Sequence, residues 1–168
     1  MKKSTLFLII FLGLSLQRTI LYAQTDPSPA VKQLRSLIES AKTDFKGEMG
    51  ELITEDKESK INYYKTLKKT AGAQTFIFKS NNAGATTMYV INYDTEAMDT
   101  QMLGLVLVIV GQYINELNVM VKSGLYTGRD YTDEKGMVVT DIKDLNGKYI
   151  LRYQSNKTKQ NIYIYGEN

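Results

Sequence analysis

The side chains here that could do chemistry are carboxylates and tyrosines. Acidic residues gather at Glu48/Glu51, Glu55/Asp56/Glu58, Asp130/Asp133/Glu134 and Asp141/Asp144. Two carboxylates at the right separation can cleave a glycosidic bond by acid–base or nucleophilic attack, and oxygens at alternate positions can hold calcium. Each of these clusters also has the composition of a solvated turn. Asp144-Leu145-Asn146-Gly147 fits a hairpin turn and lacks the further alternate ligands and bidentate Glu of a calcium loop. Asp130 to Gly136 reads as a charged loop. No acidic pair stands apart from these turns, so a carboxylate-dependent enzyme acting on an envelope polysaccharide is the alternative reading and not the leading one.

Absent residue types narrow the field further. The 168 residues contain no His and no Cys. That removes thiol nucleophiles, histidine bases, Ser-His-Asp triads and the usual zinc ligands. Asn81-Asn82-Ala83-Gly84-Ala85 matches neither glycine-rich phosphate fingerprint. The expectation is therefore no catalytic residue, no cofactor and no metal, and stability without disulfides.

Tyrosine is in excess, with 12 residues. A tyrosine joins rigid apolar area to a polar tip, which suits a surface that binds protein or glycan. In the strand expected from Lys148, alternation puts Tyr149, Leu151 and Tyr153 on one face and Ile150, Arg152 and Gln154 on the other. The first set is the more apolar and is assigned to the interior. In the last strand Ile162 and Ile164 make the better core face, which turns Tyr163 and Tyr165 outward. Tyr163, Tyr165, Arg152 and Gln154 are thus the candidate binding face. Ordinary sheet packing is the competing account of the tyrosines as a set.

Location and charge follow from the N-terminus. Met1-Lys2-Lys3 precedes an apolar run from Leu6 to Leu16, and Leu21-Tyr22-Ala23 offers a small residue before Gln24. That order predicts a signal peptide over residues 1–23 and a single domain over 24–168 in the periplasm or outside the cell. The run is about half of the roughly 20 residues that a spanning helix needs. No stable membrane insertion is expected after cleavage, and an uncleaved anchor is the competing reading. Arg18, between the run and the cut site, is unusual for a leader. Loss of residues 1–23 removes Lys2, Lys3 and Arg18 but no acid, so 18 basic residues balance 18 acidic ones and the formal charge falls from +3 to zero. Nucleic acid, which selects clustered positive charge, is not an expected partner.

These residues need elements to position them. Ser28-Pro29 reads as a helix cap with proline at the first turn. Val31, Leu34, Leu37, Ile38, Ala41 and Phe45 then form one helical stripe. Residues 48–70 are ambiguous: Glu51 to Thr54 suits a short strand, and Ile61 to Lys65 suits either its partner or more helix. Thr75 to Lys79 and Thr86 to Tyr93, joined by Ser80-Asn81-Asn82-Ala83-Gly84, predict an antiparallel hairpin. Asp94-Thr95 then caps a second helix that closes at Lys122 and Gly124. Within it, Leu103 to Val110 is apolar on nearly every side, and a buried strand is the rival reading. As a helix, this stretch offers a contact for homo-oligomer formation, or for docking against a partner as a structural envelope component, unless the fold encloses it. Met137 to Ile142, Lys148 to Gln154 and Asn161 to Tyr165 complete the elements as strands. The expected class is α+β: an antiparallel sheet with two main helices packed on one face, in the order α-β-β-α-β-β-β.

That organisation resembles the β-lactamase-inhibitory-protein-like arrangement of small exported proteins, a helix plus strands followed by a helix plus strands. The resemblance rests on Phe45-Lys46-Gly47, Tyr64-Lys65-Thr66, Ala71-Gly72-Ala73, Asp94-Thr95-Glu96-Ala97 and Ile162-Tyr163-Ile164-Tyr165, and spans most of residues 30–165. It implies a non-enzymatic module that binds a protein. The named inhibitor's disulfides have no counterpart here, so its inhibitory activity is not implied.

Overall fold

In a computed structural model that describes residues 26–82 and 86–167, the first helix starts where the cap chemistry places it. The expected leader, residues 1–23, lies outside the described residues, as do Ala83 and Gly84 of the first hairpin turn. Helix α1 runs Pro29–Ser40, with Ser28 Oγ accepting the Val31 N–H at 3.3 Å. Leu34 and Leu37 are fully buried. A 3-10 turn at Ala41–Thr43 ends it, and Asp44 and Phe45 adopt left-handed backbone (φ 51° and 57°). Phe45 therefore falls outside the helical stripe that the spacing assigns to it. Its ring is still fully buried, 5.8 Å from that of Tyr89.

The ambiguous stretch is a pair of strands, β1 (Met49–Asp56) and β2 (Ile61–Thr66), antiparallel to each other. Asp56 makes their turn by accepting the N–H groups of Glu58 and Ser59. The expected hairpin follows as β3 (Gln74–Ser80) and β4 (Thr87–Asp94), with Ile77 opposite Tyr89. Asp94 caps only a 3-10 turn, Thr95–Ala97, and Asp99 is the true N-cap of α2 (Thr100–Lys122), accepting the Met102 N–H at 2.8 Å. The helix thus begins five residues beyond the expected Thr95. It includes all of Leu103 to Val110, so the strand rival fails there. Gly124, at φ 76°, closes the segment as expected of a glycine after a helix.

Four more strands follow: β5 (Tyr126–Thr132), β6 (Val138–Asp144), β7 (Tyr149–Ser155) and β8 (Lys159–Tyr165). All eight form one antiparallel sheet in the order β1-β2-β3-β4-β8-β7-β6-β5. The class is α+β. The observed order is α-β-β-β-β-α-β-β-β-β in place of α-β-β-α-β-β-β, because β1, β2 and β5 join the sheet. Each half is one helix followed by a four-strand meander, and the two meanders meet at β4 and β8.

One core joins the helices to the sheet. Leu34 and Leu37 of α1 and Val106, Val110, Tyr113, Leu117 and Met120 of α2 cluster with alternate strand residues, among them Ile77, Tyr89, Ile91, Leu151, Ile162 and Ile164. Arg35 clamps the two helices through a two-pronged ion pair with Glu116, at 2.8 and 3.0 Å. By length and composition α2 could cross a membrane. Its buried residues instead belong to the core shared with the sheet. Its other side leaves Leu105, Leu107 and Val108 at 45, 55 and 58% exposure.

The hydroxyls of Tyr93 and Tyr113 are buried close to each other, but neither reaches a partner in good hydrogen-bond geometry. An unpaired buried hydroxyl costs free energy that a phenyl ring would not, so Tyr93→Phe is expected to leave stability unchanged or to raise it by about 1 kcal/mol, measured by urea unfolding. Burial also pushes the phenols of Tyr93, Tyr113 and Tyr89 above the ordinary value of 10.0. A phenol with a raised folded value favours the fold while protonated. Stability is therefore expected to be full below pH 10 and to be lost as the pH climbs above it, with delayed ionisation visible in the tyrosinate absorbance.

Candidate functional site

Side chains alternate across a strand, so the residues between the core positions share the other surface of the sheet. The register aligns them in rows. One row runs Lys65–Phe76–Val90–Tyr163–Arg152–Asp141–Arg129, each residue opposite the next. Beside it, Tyr63, Phe78, Met88 and Tyr165 are opposite one another in turn. Gln74, Asn92, Asn161, Gln154, Val139 and Tyr131 form a third row. None of these residues belongs to the core cluster shared with the helices, although Val90 and Val139 are themselves buried. Tyr63, Phe76, Phe78, Met88, Tyr163 and Tyr165 are all half-buried. Tyr63 packs its ring 6.1 Å from Phe76 and 6.5 Å from Phe78.

All four candidate binding residues lie on this surface. Arg152 is opposite Tyr163, Gln154 is opposite Asn161, and Tyr165 adjoins the same strand. Tyr89, Tyr93 and Tyr153 are buried in the core. Tyr149 corrects the alternation argument. The β6–β7 register shifts after Ile142, so that Ile142 faces Leu151 while Lys143 faces Tyr149. Ile150 is the extra residue, packed against the core. A bulge of this kind re-aims the next side chain, and Tyr149 crosses to the surface of Arg152. Its ring lies 5.3 Å from that of Tyr165, with Arg152 Cζ 5.3 Å and Lys143 Nζ 4.1 Å from its centroid.

Arg152 is committed to Asp141. Its Nε and NH2 donate to the two carboxylate oxygens at 2.6 and 3.1 Å, and the Tyr131 hydroxyl donates to the second oxygen at 3.3 Å. The Asp141 side chain is 6% exposed and that of Arg152 27%. The hydrogen bonds to Asp141 hold the guanidinium value above its usual one. Burial raises the phenols of Tyr163 and Tyr165, and the charge of Arg152 opposes that shift. Arg152 therefore holds the surface together more than it reaches out from it.

Several of the other carboxylates have structural work. Asp133 and Asp144 accept backbone N–H groups within their turns. Glu48 pairs with Lys68, and Asp130 accepts from Thr140. Among the described residues no group of three or more acidic side chains could hold a metal ion. Sequence reasoning missed Tyr63, Phe76, Phe78, Tyr131, Asp141, Lys143 and Arg129 as members of this surface. Their alternation is hidden in β3, where Phe76-Ile77-Phe78 is apolar at every step, and in β5, where Gly128 breaks the pattern.

Comparison with protein-family models, with curated proteins and with solved structures gives no match.

Removing Arg152 would leave a buried carboxylate without its partner. Arg152→Ala is expected to cost about 3 kcal/mol in chemical unfolding, the low end for breaking a buried pair because part of the guanidinium is already wet. Replacing both partners, as in Arg152→Met with Asp141→Leu, is expected to recover most of that loss.

Proposed function

We propose that this chain is an exported, non-enzymatic interaction module that binds another protein through the open surface of its sheet. In this reading both helices cover one face and the aromatic rows form the other. The observation that carries it is the half-buried aromatic surface that continues across β2, β3, β4, β8 and β7 outside the core. Five strands of about seven residues span roughly 19 Å by 20 Å, so a partner contributing the roughly 800 Å² of a standard interface would also cover the β5–β6 end of the sheet. The β-lactamase-inhibitory-protein-like arrangement that the sequence resembles would likewise make this chain a protein-binding module. A glycan would need free ring faces, whereas cations lie over the ring of Tyr149. That favours protein over sugar.

The exposed apolar side of α2 supports a second reading, self-association. Leu105, Leu107 and Val108 lie there, and a side chain added at Gly104 or Gly111 would touch nothing. An uncharged strip with both ridges and clefts can pack against its own copy.

A photo-crosslinking amino acid placed at Phe78, at Tyr163 or at Leu107 of the full chain in its native cell separates the two. Phe78 and Tyr163 are expected to capture a distinct protein. With the crosslinker at Phe78, Tyr163→Ala is expected to weaken that capture about 30-fold, an effect of hot-spot size, while the melting curve of the variant shows that it is still folded. Capture of the same chain from Leu107 alone would make self-association the function.

A further inference from the structure

We propose that the recess lined by Thr127, Arg129, Asp141, Lys143 and Tyr149 is a subsite for a carboxylate side chain, so that the protein partner presents an acidic segment there. This rests on the reading of the sheet as a protein-binding surface. The recess lies at the β5–β6–β7 end of that surface and holds about 220 Å³. It contains two cations, Arg129 and Lys143, and neither forms an ion pair among the described residues. Its one acid is spent: Asp141 takes two hydrogen bonds from Arg152, and their charges cancel. The recess is therefore positive by two charges, although basic and acidic residues balance over residues 24–168.

Tyrosines hold both cations. Lys143 Nζ sits 4.1 Å from the centroid of Tyr149, and Arg129 Cζ sits 5.5 Å from that of Tyr131. Each ring attracts its cation through the electron-rich face. A charged head already held in place loses less freedom when a ligand binds, which favours association. The two cations come from neighbouring strands at diagonal positions, since Thr127 opposes Lys143 and Arg129 opposes Asp141. Two donors on adjacent strands suit the two oxygens of a single carboxylate. Two charges are too few to retain a polyanionic backbone, so an acidic polypeptide is favoured over nucleic acid.

The probe is a ten-residue oligoglutamate, titrated into the isotope-labelled full chain at low salt and followed by NMR. A ten-residue oligolysine and a single-stranded oligonucleotide of matched charge serve as controls. Shifts are expected at Thr127, Arg129, Lys143 and Tyr149 with oligoglutamate. Affinity is expected to fall at least tenfold in Arg129→Gln/Lys143→Gln and to stay unchanged in Lys157→Gln, a lysine in the exposed β7–β8 turn. Arg129→Glu/Lys143→Glu is expected to abolish binding, and melting curves of both variants report whether the fold is kept. Equal affinity in the folded double variants, or tighter binding of the oligonucleotide, would overturn the subsite. Undiminished partner capture from Tyr163 in Arg129→Gln/Lys143→Gln would also overturn it and leave the interaction surface standing. Oligoglutamate binding with no partner captured from either Phe78 or Tyr163 would keep the subsite and remove the wider reading.

Discussion

The pairing of β4 with β8 is the constraint on which the sheet depends. β8 is the last strand, yet it lies between β4 and β7 near the middle of the sheet. Without it the two meanders share no strand–strand contact. The cross-link is specific as well as extensive: Asn92 donates to Asn161 at 2.6 Å across this seam, on the aromatic surface. On the other side Ile91 pairs with Ile162 and Tyr89 with Ile164, so the same residues that join the halves also belong to the core shared with the helices. Contacts so far apart in sequence are costly to close in entropy and tend to form late in folding.

Once that seam is set, the period of two decides the rest. Every core residue fixed on one side sends its neighbours to the other, and the aromatic rows follow from the packing. One bulge breaks the rule and does so at a consequential place. Ile150 is absorbed into the core, Tyr149 is released to the opposite surface, and Arg152 and Lys143 gather around its ring. The buried Asp141 is tolerated because Arg152 and Tyr131 meet its oxygens. The polar end of the surface therefore has fixed geometry, whereas Tyr63, Phe76 and Phe78 supply area.

Elements with local chemistry were legible in the sequence, and those defined by partners were not. Ser28-Pro29 marked the start of α1, and the turn at Asn146-Gly147 and the alternation of Ile162 and Ile164 placed β7 and β8. The outward direction of Tyr163, Tyr165, Arg152 and Gln154 followed from the same alternation, and the structure puts all four on one surface. β5 escaped because Tyr126 to Thr132 is a mostly exposed strand with no apolar face of its own. Tyr149 was misplaced because a bulge depends on pairing and leaves no mark in a single strand. Two helix limits moved because Asp94 and Asp99 are both cap residues, and because the left-handed pair Asp44–Phe45 has no glycine to announce it.

The outermost strands bear on how such a sheet stays a discrete molecule. β1 shifts register twice against β2 and carries Glu51, Glu55 and Asp56. β5 carries Gly128, Arg129 and Asp130 at its middle. Irregular, charged borders offer a poor template for another strand. Further copies are thus discouraged from stacking side by side into fibrils through the rims of the sheet.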